Sequence, residues 1–147
     1  MQAPPQRSPR VPPNCDLTLG MVCVDKSEPG VTVWTMEADE RFANPVGIVQ
    51  GGILGAFADS AMAASTVTSA RGRKIFTANV EMKVSFLKPA TVGGKLTCTA
   101  RVISSGRRVA FTEAEVVDGA GMMVVKASST YLITPREEPA GSDRPAG

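Results

Sequence analysis

Residues 51–70 read GGILGAFADSAMAASTVTSA, and this stretch decides the fold. It is crowded with Ala, Gly and Ser, and the Arg-Gly-Arg sequence at 71–73 breaks it, so we predict one helix over about Gly51–Ser69. An ordinary surface helix carries one charged face, whereas Asp59 is the only charged residue in residues 42–70. Small residues on all sides indicate a helix that is enclosed by a curved sheet and by another subunit.

Strand-like segments lie on both sides of this helix. They are Val31–Met36 before it and Phe76–Leu87, Lys95–Ser104, Arg107–Val117 and Met122–Ile133 after it. Glycine-containing turns separate the last runs, and Cys15–Val24 adds a helical turn and the start of a strand. We therefore predict an α+β fold with one long helix against an antiparallel sheet of five or six strands.

The first run after the helix has the pattern of a half-buried strand. From Val80 to Phe86, apolar residues occupy every second position and polar residues lie between them. This period of two predicts that the apolar side chains share one covered face of the sheet.

Composition restricts the class of protein further. The chain has 147 residues, which suits one domain, and a net charge of +2 with scattered basic residues, which does not favour nucleic acid as a partner. No apolar run approaches a membrane span, and the start of the chain lacks the apolar core of a secretory signal. We expect disordered Pro-rich segments at 1–14 and 135–147, an ordered domain at 15–134, and a cytoplasmic location.

The cysteine and histidine counts exclude several kinds of chemistry. Three widely spaced cysteines indicate free thiols, and the chain has no histidine. Triads that contain histidine are therefore excluded, and a zinc site is not expected. We predict no metal and no cofactor, so acid–base chemistry must come from carboxylates, other side chains or oriented water.

Two features of the predicted helix point to a site. Asp59 is a lone carboxylate on an apolar helix, and unpaired buried charges are costly. Gly51 and Gly52 open the helix, where free N–H groups and the positive end of the helix dipole can hold an oxyanion. The alternatives are that Asp59 is a satisfied structural carboxylate and that the glycines only shape a turn.

The spacing of these features has a geometric consequence. Gly51 and Asp59 are eight residues apart, which at 1.5 Å per residue is about 12 Å along the helix. A base and an oxyanion donor that act on one carbonyl must both lie within about 3 Å of the reacting atoms. If both residues act, the site is composite, with each contributed by a different subunit.

The segment NPVGIVQGGILGAFADSAMAAS resembles the signature of the PaaI-like hotdog thioesterases. The matching positions are Asn44, Gly47, Gly51, Gly52 and Asp59. Two later segments, TANVEMKVSFLKPATVGG and SSGRRVAFTEAEVVDGAGMMVVKASSTYLI, resemble the strands and hairpins that follow in the family. The resemblance covers about Val31 to Ile133 and implies a hotdog fold, in which a sheet wraps a central helix.

The resemblance also implies roles. Asp59 is expected to be the base or nucleophile that attacks an acyl- or aryl-CoA thioester, and the partner subunit's Gly51 N–H the oxyanion donor. Asn44 is expected to position the carboxylate or the water, although it also suits a turn before Pro45. Asn79 is expected near the water, although an ordinary polar strand residue is an equal interpretation.

One position departs from the family signature. The family's histidine is Gln50 here, which forms hydrogen bonds but does not exchange protons at neutral pH. This departure leaves open a non-catalytic protein that binds acyl-CoA or an aromatic ligand, while a hydratase is disfavoured because it needs an Asp-His pair. A purely structural domain leaves Asp59 unexplained.

Coenzyme A and its phosphates require a binding surface of their own. The residues expected to bind the substrate are Gly52, Lys88, Arg107 and Arg108. For any single basic residue, a solvated charged turn is the simpler interpretation. The enclosed helix and the resemblance together imply a homodimer or a tetramer built from two dimers.

Overall fold

A long helix lies across one face of a six-stranded antiparallel sheet in this computed structural model, which describes residues 14–137. In chain order the elements are α1 (Cys15–Leu19), β1 (Val22–Asp25), β2 (Val31–Glu37), α2 (Gly51–Ser69), β3 (Ile75–Phe86), β4 (Lys95–Ser105), β5 (Val109–Val117) and β6 (Met123–Pro135), with a 3-10 turn at Glu40–Phe42. The predicted layout of one long helix and a sheet of five or six strands is confirmed.

The helix α2 has the bounds that the sequence predicts. It ends where Arg71 and Gly72 take positive φ angles of 51° and 88°, which stops the helical hydrogen-bond pattern. One predicted strand, Arg107–Val117, starts too early, because the two arginines lie in the turn before β5. The predicted disordered segments fall outside the described residues, except for residue 14 and residues 135–137.

The chain order of the strands differs from their order in the sheet. The sheet order is β1-β2-β4-β5-β6-β3, and every neighbouring pair is antiparallel. Helix α2 therefore carries the chain from β2 across the sheet to β3 at the far edge. One side of β3 pairs with β6, and its other side pairs with no strand in residues 14–137.

A β-bulge interrupts the pairing of β3 with β6. Asn79 pairs with Tyr131, and Glu81 pairs with Thr130, so Val80 is the extra residue. The predicted alternation is therefore wrong at Val80, which is 51% exposed. Because the bulge adds one residue, Asn79 faces α2 although it lies an odd number of positions from Met82, which also faces the helix.

The core lies between α2 and the inner face of the sheet. Its largest fully buried side chains include Tyr131, Phe57, Met36, Met62 and Leu96. Helix α2 is buried along this side, but Gly52 and Val67 are exposed. The helix is therefore covered on one side and open on the side next to β3. No helix within residues 14–137 is both long and apolar enough to span a membrane.

The burial of α2 predicts a large loss of stability on truncation of its central aromatic residue. Phe57 is 0% exposed, and removing a buried ring costs about 3–5 kcal/mol. We expect Phe57→Ala to lower the free energy of unfolding by about this amount in urea, followed by circular dichroism at one protein concentration.

Phe111→Ala is the matched control, because Phe111 is 51% exposed and lies on β5, away from the unpaired edge of β3. It is expected to cost a small fraction of that loss. Equal losses in the two variants would mean that α2 does not pack on the sheet in this way.

Candidate active site

A groove runs between α2 and the edge strand β3. It forms a cavity of about 390 Å³ that is open to solvent and is lined by Gly51, Gly52, Gly55, Ala56 and Asp59 of the helix and by Met82, Val84 and Phe86 of the strand. Residues four apart lie on one face of a helix, so the small residues form a smooth floor that leads to Asp59. The polar end of the groove is at Asp59, and Gly51 and Phe86 lie at the opposite end.

The carboxylate of Asp59 is held by two side-chain donors on the sheet. The Tyr131 hydroxyl donates to Oδ1, and Asn79 Nδ2 donates to the same oxygen at 2.8 Å. Within residues 14–137, no hydrogen-bond donor reaches Oδ2. The two oxygens therefore differ: Oδ1 is fixed against the sheet, and Oδ2 is available to a ligand.

Ser129 orients the amide of Asn79. The Ser129 hydroxyl lies 2.8 Å from Asn79 Oδ1 and 2.7 Å from the carbonyl oxygen of Glu81, and it can donate its one proton to either. An ionised carboxylate only accepts hydrogen bonds, so the Asn79 amide must present its nitrogen to Asp59 and its oxygen to Ser129. Ser129, Asn79 and Asp59 thus form one connected network.

Tyr131 is a permanent donor in this network. Its side chain is 1% exposed, and burial, followed by the hydrogen bond to Asp59, raises the pKa of the Tyr131 hydroxyl far above its usual value. The phenol therefore stays protonated at physiological pH. Sequence reasoning missed Tyr131 and Ser129, although both lie at alternate positions of β6 and therefore on its buried face.

The start of α2 offers free backbone donors. Gln50 is the N-cap residue, but its exposed side chain makes no capping hydrogen bond. The N–H groups of Gly51 and Gly52 meet no acceptor among the described residues. A Cβ on Gly51 would lie 3.0 Å from the Phe86 ring, so only glycine leaves this ring in place.

Asn44 acts as a turn residue in the structure. Its Oδ1 accepts hydrogen bonds from the N–H groups of Val46 at 3.1 Å and Ile48 at 3.3 Å. Asn44 makes no hydrogen bond to Asp59 in its own chain, and it lines a second cavity of about 290 Å³ with Gly51 and Lys88. Within one chain, Asn44 therefore acts as a turn residue before Pro45, which is the alternative interpretation that the sequence offered.

The basic residues do not share the Asp59 cavity. Lys88 lies in the second cavity, which adjoins the Asp59 groove at Gly51. Arg107 and Arg108 line a separate surface depression of about 1080 Å³. One chain therefore brings Asp59 and Asn79 together but keeps the arginines in a different depression.

The cysteines do not line the groove, and all three are free thiols. Cys98 is buried, and this burial raises the pKa of its thiol to about 12. A thiol with so high a pKa is not ionised at neutral pH and is a poor nucleophile. Among the residues that line the groove, Asp59 is the one with an ionisable side chain.

Several known proteins have sequences or folds similar to those of this chain. The sequence model of the thioesterase superfamily matches residues 46–125. Acyl-coenzyme A thioesterase 13 of Homo sapiens is 25% identical over 118 residues, which are 80% of this chain and 83% of the human protein. The PaaI protein of the E. coli phenylacetic acid degradation operon superposes with a TM-score of 0.76 at 23% identity, over 82% of this chain and 83% of that one.

A third similar protein was solved with a ligand. The structure of a hypothetical thioesterase from Streptococcus pneumoniae with coenzyme A superposes with a TM-score of 0.72 at 19% identity, over 80% of this chain and 91% of that one. These superpositions confirm the predicted hotdog fold. Because the superfamily match covers more than half of the sequence, the chain belongs to the thioesterase superfamily and is an enzyme of thioester hydrolysis.

The protected hydroxyl of Tyr131 gives a pH-dependent prediction. Tyr131 is the only tyrosine in the chain, so phenolate absorbance reports on it alone. We expect no phenolate in the folded protein at about pH 10, where an ordinary tyrosine is half ionised. The urea-unfolded protein is expected to titrate at that ordinary value.

The raised pKa of the Tyr131 hydroxyl also affects the stability of the folded protein. Above about pH 10 the unfolded chain releases the Tyr131 proton and the folded chain retains it, so the free energy of unfolding falls as pH rises. In Tyr131→Phe, the part of the fall in unfolding free energy at alkaline pH that comes from this proton is expected to disappear. Half ionisation of the folded wild type near pH 10 would show that the hydroxyl is not held as described.

Proposed function

We propose that this protein hydrolyses acyl- or aryl-CoA thioesters to the free acid and coenzyme A, with Asp59 as general base or nucleophile. The observation that carries the proposal is the Asp59 carboxylate in an apolar groove, which has one oxygen fixed by Tyr131 and Asn79 and the other without a donor among residues 14–137. The name of the human relative and the ligand of the streptococcal structure support coenzyme A as the thiol part of the substrate.

The reaction balances with either role of Asp59. As a base, Asp59 takes a proton from water, and the resulting hydroxide attacks the thioester carbon. As a nucleophile, Asp59 attacks that carbon itself, and water then hydrolyses the mixed anhydride. In both cases the carbonyl oxygen becomes an oxyanion, which we assign to the partner subunit's Gly51 N–H, and the C–S bond breaks to release a thiolate. The proton taken from water passes to this thiolate or to solvent, which returns Asp59 to its starting state.

Gln50 is compatible with this chemistry because a thiol is a good leaving group. Alkyl thiols have pKa values of roughly 8–9, so the thiolate leaves near neutral pH without a strong acid to protonate it. Gln50 is exposed beside the free N–H groups of α2, where its amide can donate a hydrogen bond to the substrate. No cofactor is needed, since coenzyme A belongs to the substrate.

The two asparagines are assigned different tasks. Asn79 holds Oδ1 of Asp59 and also donates to the Tyr131 hydroxyl at 3.4 Å, so we assign it the task of orienting the carboxylate beside the attacking water. Asn44 shapes the loop before α2, and we propose that its free amide nitrogen faces the reacting groups of a neighbouring subunit.

We propose that the protein assembles as a dimer in which β3 strands pair edge to edge, or as a tetramer of two such dimers. β3 has twelve residues with one unpaired edge, and unprotected edges of this length favour strand addition. Phe76 and Val80 on this strand are exposed in the single chain. Such pairing also covers the open side of α2.

The phosphates of coenzyme A need cations outside the Asp59 groove. We propose Lys88 for this task in the cavity next to Gly51, with Gly52 at the helix start, and Arg107 and Arg108 from a depression on another face of the subunit. Arginine suits phosphate because its planar guanidinium donates two parallel hydrogen bonds.

The alternative is a protein that binds acyl-CoA or an aromatic ligand without hydrolysing it. Gln50 in place of the family's histidine is the feature that leaves this alternative open. Release of free thiol from any acyl-CoA, detected with a thiol-reactive dye, separates an enzyme from a binder.

Removal of the Asp59 charge tests the proposed chemistry. Asn keeps the shape of the side chain but neither takes a proton nor attacks a carbonyl at a useful rate. We expect Asp59→Asn to reduce kcat by at least about 100-fold, with an unchanged circular dichroism spectrum.

The matched control is Glu81→Gln on β3. Its carboxylate accepts a hydrogen bond from Thr130 and is exposed, so kcat is expected to stay near the wild-type value. Wild-type turnover in Asp59→Asn, together with a loss in Glu81→Gln, would move the catalytic role to Glu81.

Mixing two inactive variants tests whether the site is shared. Gly51 and Asp59 lie about 12 Å apart on one helix, so a single carbonyl cannot contact both in one chain. We expect Asp59→Asn and Gly51→Val homodimers to be inactive. A heterodimer, purified with two different tags, is expected to recover one of two sites, because two-fold symmetry places both intact residues together once.

Heterodimers of the correct mass that recover no activity would contradict the shared site. An oxyanion donor in the same chain as Asp59 would then be required.

A further inference from the structure

Ser129 is the buried end of the hydrogen-bond network at Asp59. It is 3% exposed, so a substrate in the groove has no access to its hydroxyl. That hydroxyl lies 2.8 Å from Asn79 Oδ1 and 2.7 Å from the carbonyl oxygen of Glu81. Because Asn79 and Glu81 flank the bulge residue Val80, one hydroxyl of β6 contacts β3 on both sides of the bulge.

The amide of Asn79 depends on hydrogen bonds for its orientation. Asn79 is exposed at the edge of the sheet within the single chain, so packing does not hold its side chain. Its nitrogen lies 2.8 Å from Asp59 Oδ1 and 3.4 Å from the Tyr131 hydroxyl, and its oxygen faces Ser129. The amide is therefore held at both ends. Without Ser129 it would be held only through its nitrogen and could pivot there.

The position of Asn79 matters because it is one of two donors to a single carboxylate oxygen. Tyr131 and Asn79 both donate to Asp59 Oδ1. With one donor the carboxylate can pivot about that hydrogen bond, whereas two donors on different strands fix its plane. The plane of the carboxylate sets the direction of Oδ2, which is the oxygen that the proposed chemistry uses. A displacement of about 1 Å at a reacting group can slow a reaction roughly 100-fold.

We propose that Ser129 is a positioning residue for thioester hydrolysis: through Asn79, it fixes the direction in which Asp59 presents Oδ2 to the reacting groups. This inference rests on the proposed function of Asp59. Ser129 takes no part in the reaction itself, because the Asn79 amide lies between its hydroxyl and the carboxylate. All three residues belong to one chain, so the same positioning operates at each site of the proposed dimer.

Removal of the Ser129 hydroxyl tests this role. The substrate is whichever of acetyl-, hexanoyl-, tetradecanoyl- and benzoyl-CoA the wild type hydrolyses with the highest kcat/KM, and the readout is thiol release. We expect Ser129→Ala to lower kcat about tenfold, an effect between that of one lost hydrogen bond and that of a displaced reacting group. KM is expected to stay near the wild-type value, because Ser129 does not contact the substrate.

Thr112→Val is the matched control for the loss of a buried hydroxyl. Thr112 lies opposite Ser129 on β5, is 1% exposed, and donates its hydroxyl proton to the Ser129 carbonyl oxygen at 3.2 Å. This variant loses a buried hydrogen bond at the same place in the sheet but leaves the contact between Ser129 and Asn79 intact. The free energy of unfolding is expected to fall, while kcat stays near the wild-type value.

A double-mutant cycle tests whether Ser129 acts through Asn79. Asn79→Ala removes the amide on which Ser129 is proposed to act, so adding Ser129→Ala is expected to lower kcat no further. If the two effects on kcat multiply instead, Ser129 acts by another route and the proposal is wrong.

Ser129→Cys serves as the test if Ser129→Ala does not fold, because its thiol has a similar size but is a weak donor. Wild-type kcat in the folded Ser129 variants, or an equal loss of kcat in Thr112→Val, would overturn the positioning role and leave thioester hydrolysis in place. Failure of the wild type to release thiol from all four thioesters would instead overturn the proposed function, and the positioning role with it.

Discussion

The hydrogen bonds to Asp59 are the constraint on which the site depends. They join the middle of α2 to β3 and β6, at the edge of the sheet where the chain returns after the helix. A carboxylate on an otherwise uncharged helix is costly to desolvate without donors. Tyr131 and Asn79 supply those donors, and because both reach Oδ1, they leave Oδ2 without a donor among residues 14–137.

The sequence predicted those parts of the structure that depend on the composition and spacing of residues within one segment. The limits of α2, the antiparallel runs and the position of Asp59 all follow from composition and spacing within one segment. Tyr131 was not predicted as a site residue because its contact with Asp59 joins residues 72 positions apart, which no local period encodes. The bulge at Val80 was missed for a related reason, since the surrounding residues continue the alternation without a break.

The basic residues illustrate a different limit. Lys88, Arg107 and Arg108 were grouped because all three are basic. The charge of a residue does not tell where in the fold its side chain lies. The fold places Lys88 beside the groove and the two arginines at the turn between β4 and β5. Charge alone therefore predicted an affinity for phosphate but could not predict which residues act on one substrate molecule.

The bulge at Val80 gives β3 one residue more than its pairing with β6 needs. If Val80 were deleted, the two strands would regain an unbroken register with Asn79 still opposite Tyr131, so the side chain that reaches Asp59 would stay on the same face of the sheet. A strand that is one residue shorter at this point is therefore compatible with the same hydrogen bonds to Asp59. In a related sequence, a one-residue gap at Val80 would not indicate that the site has been lost.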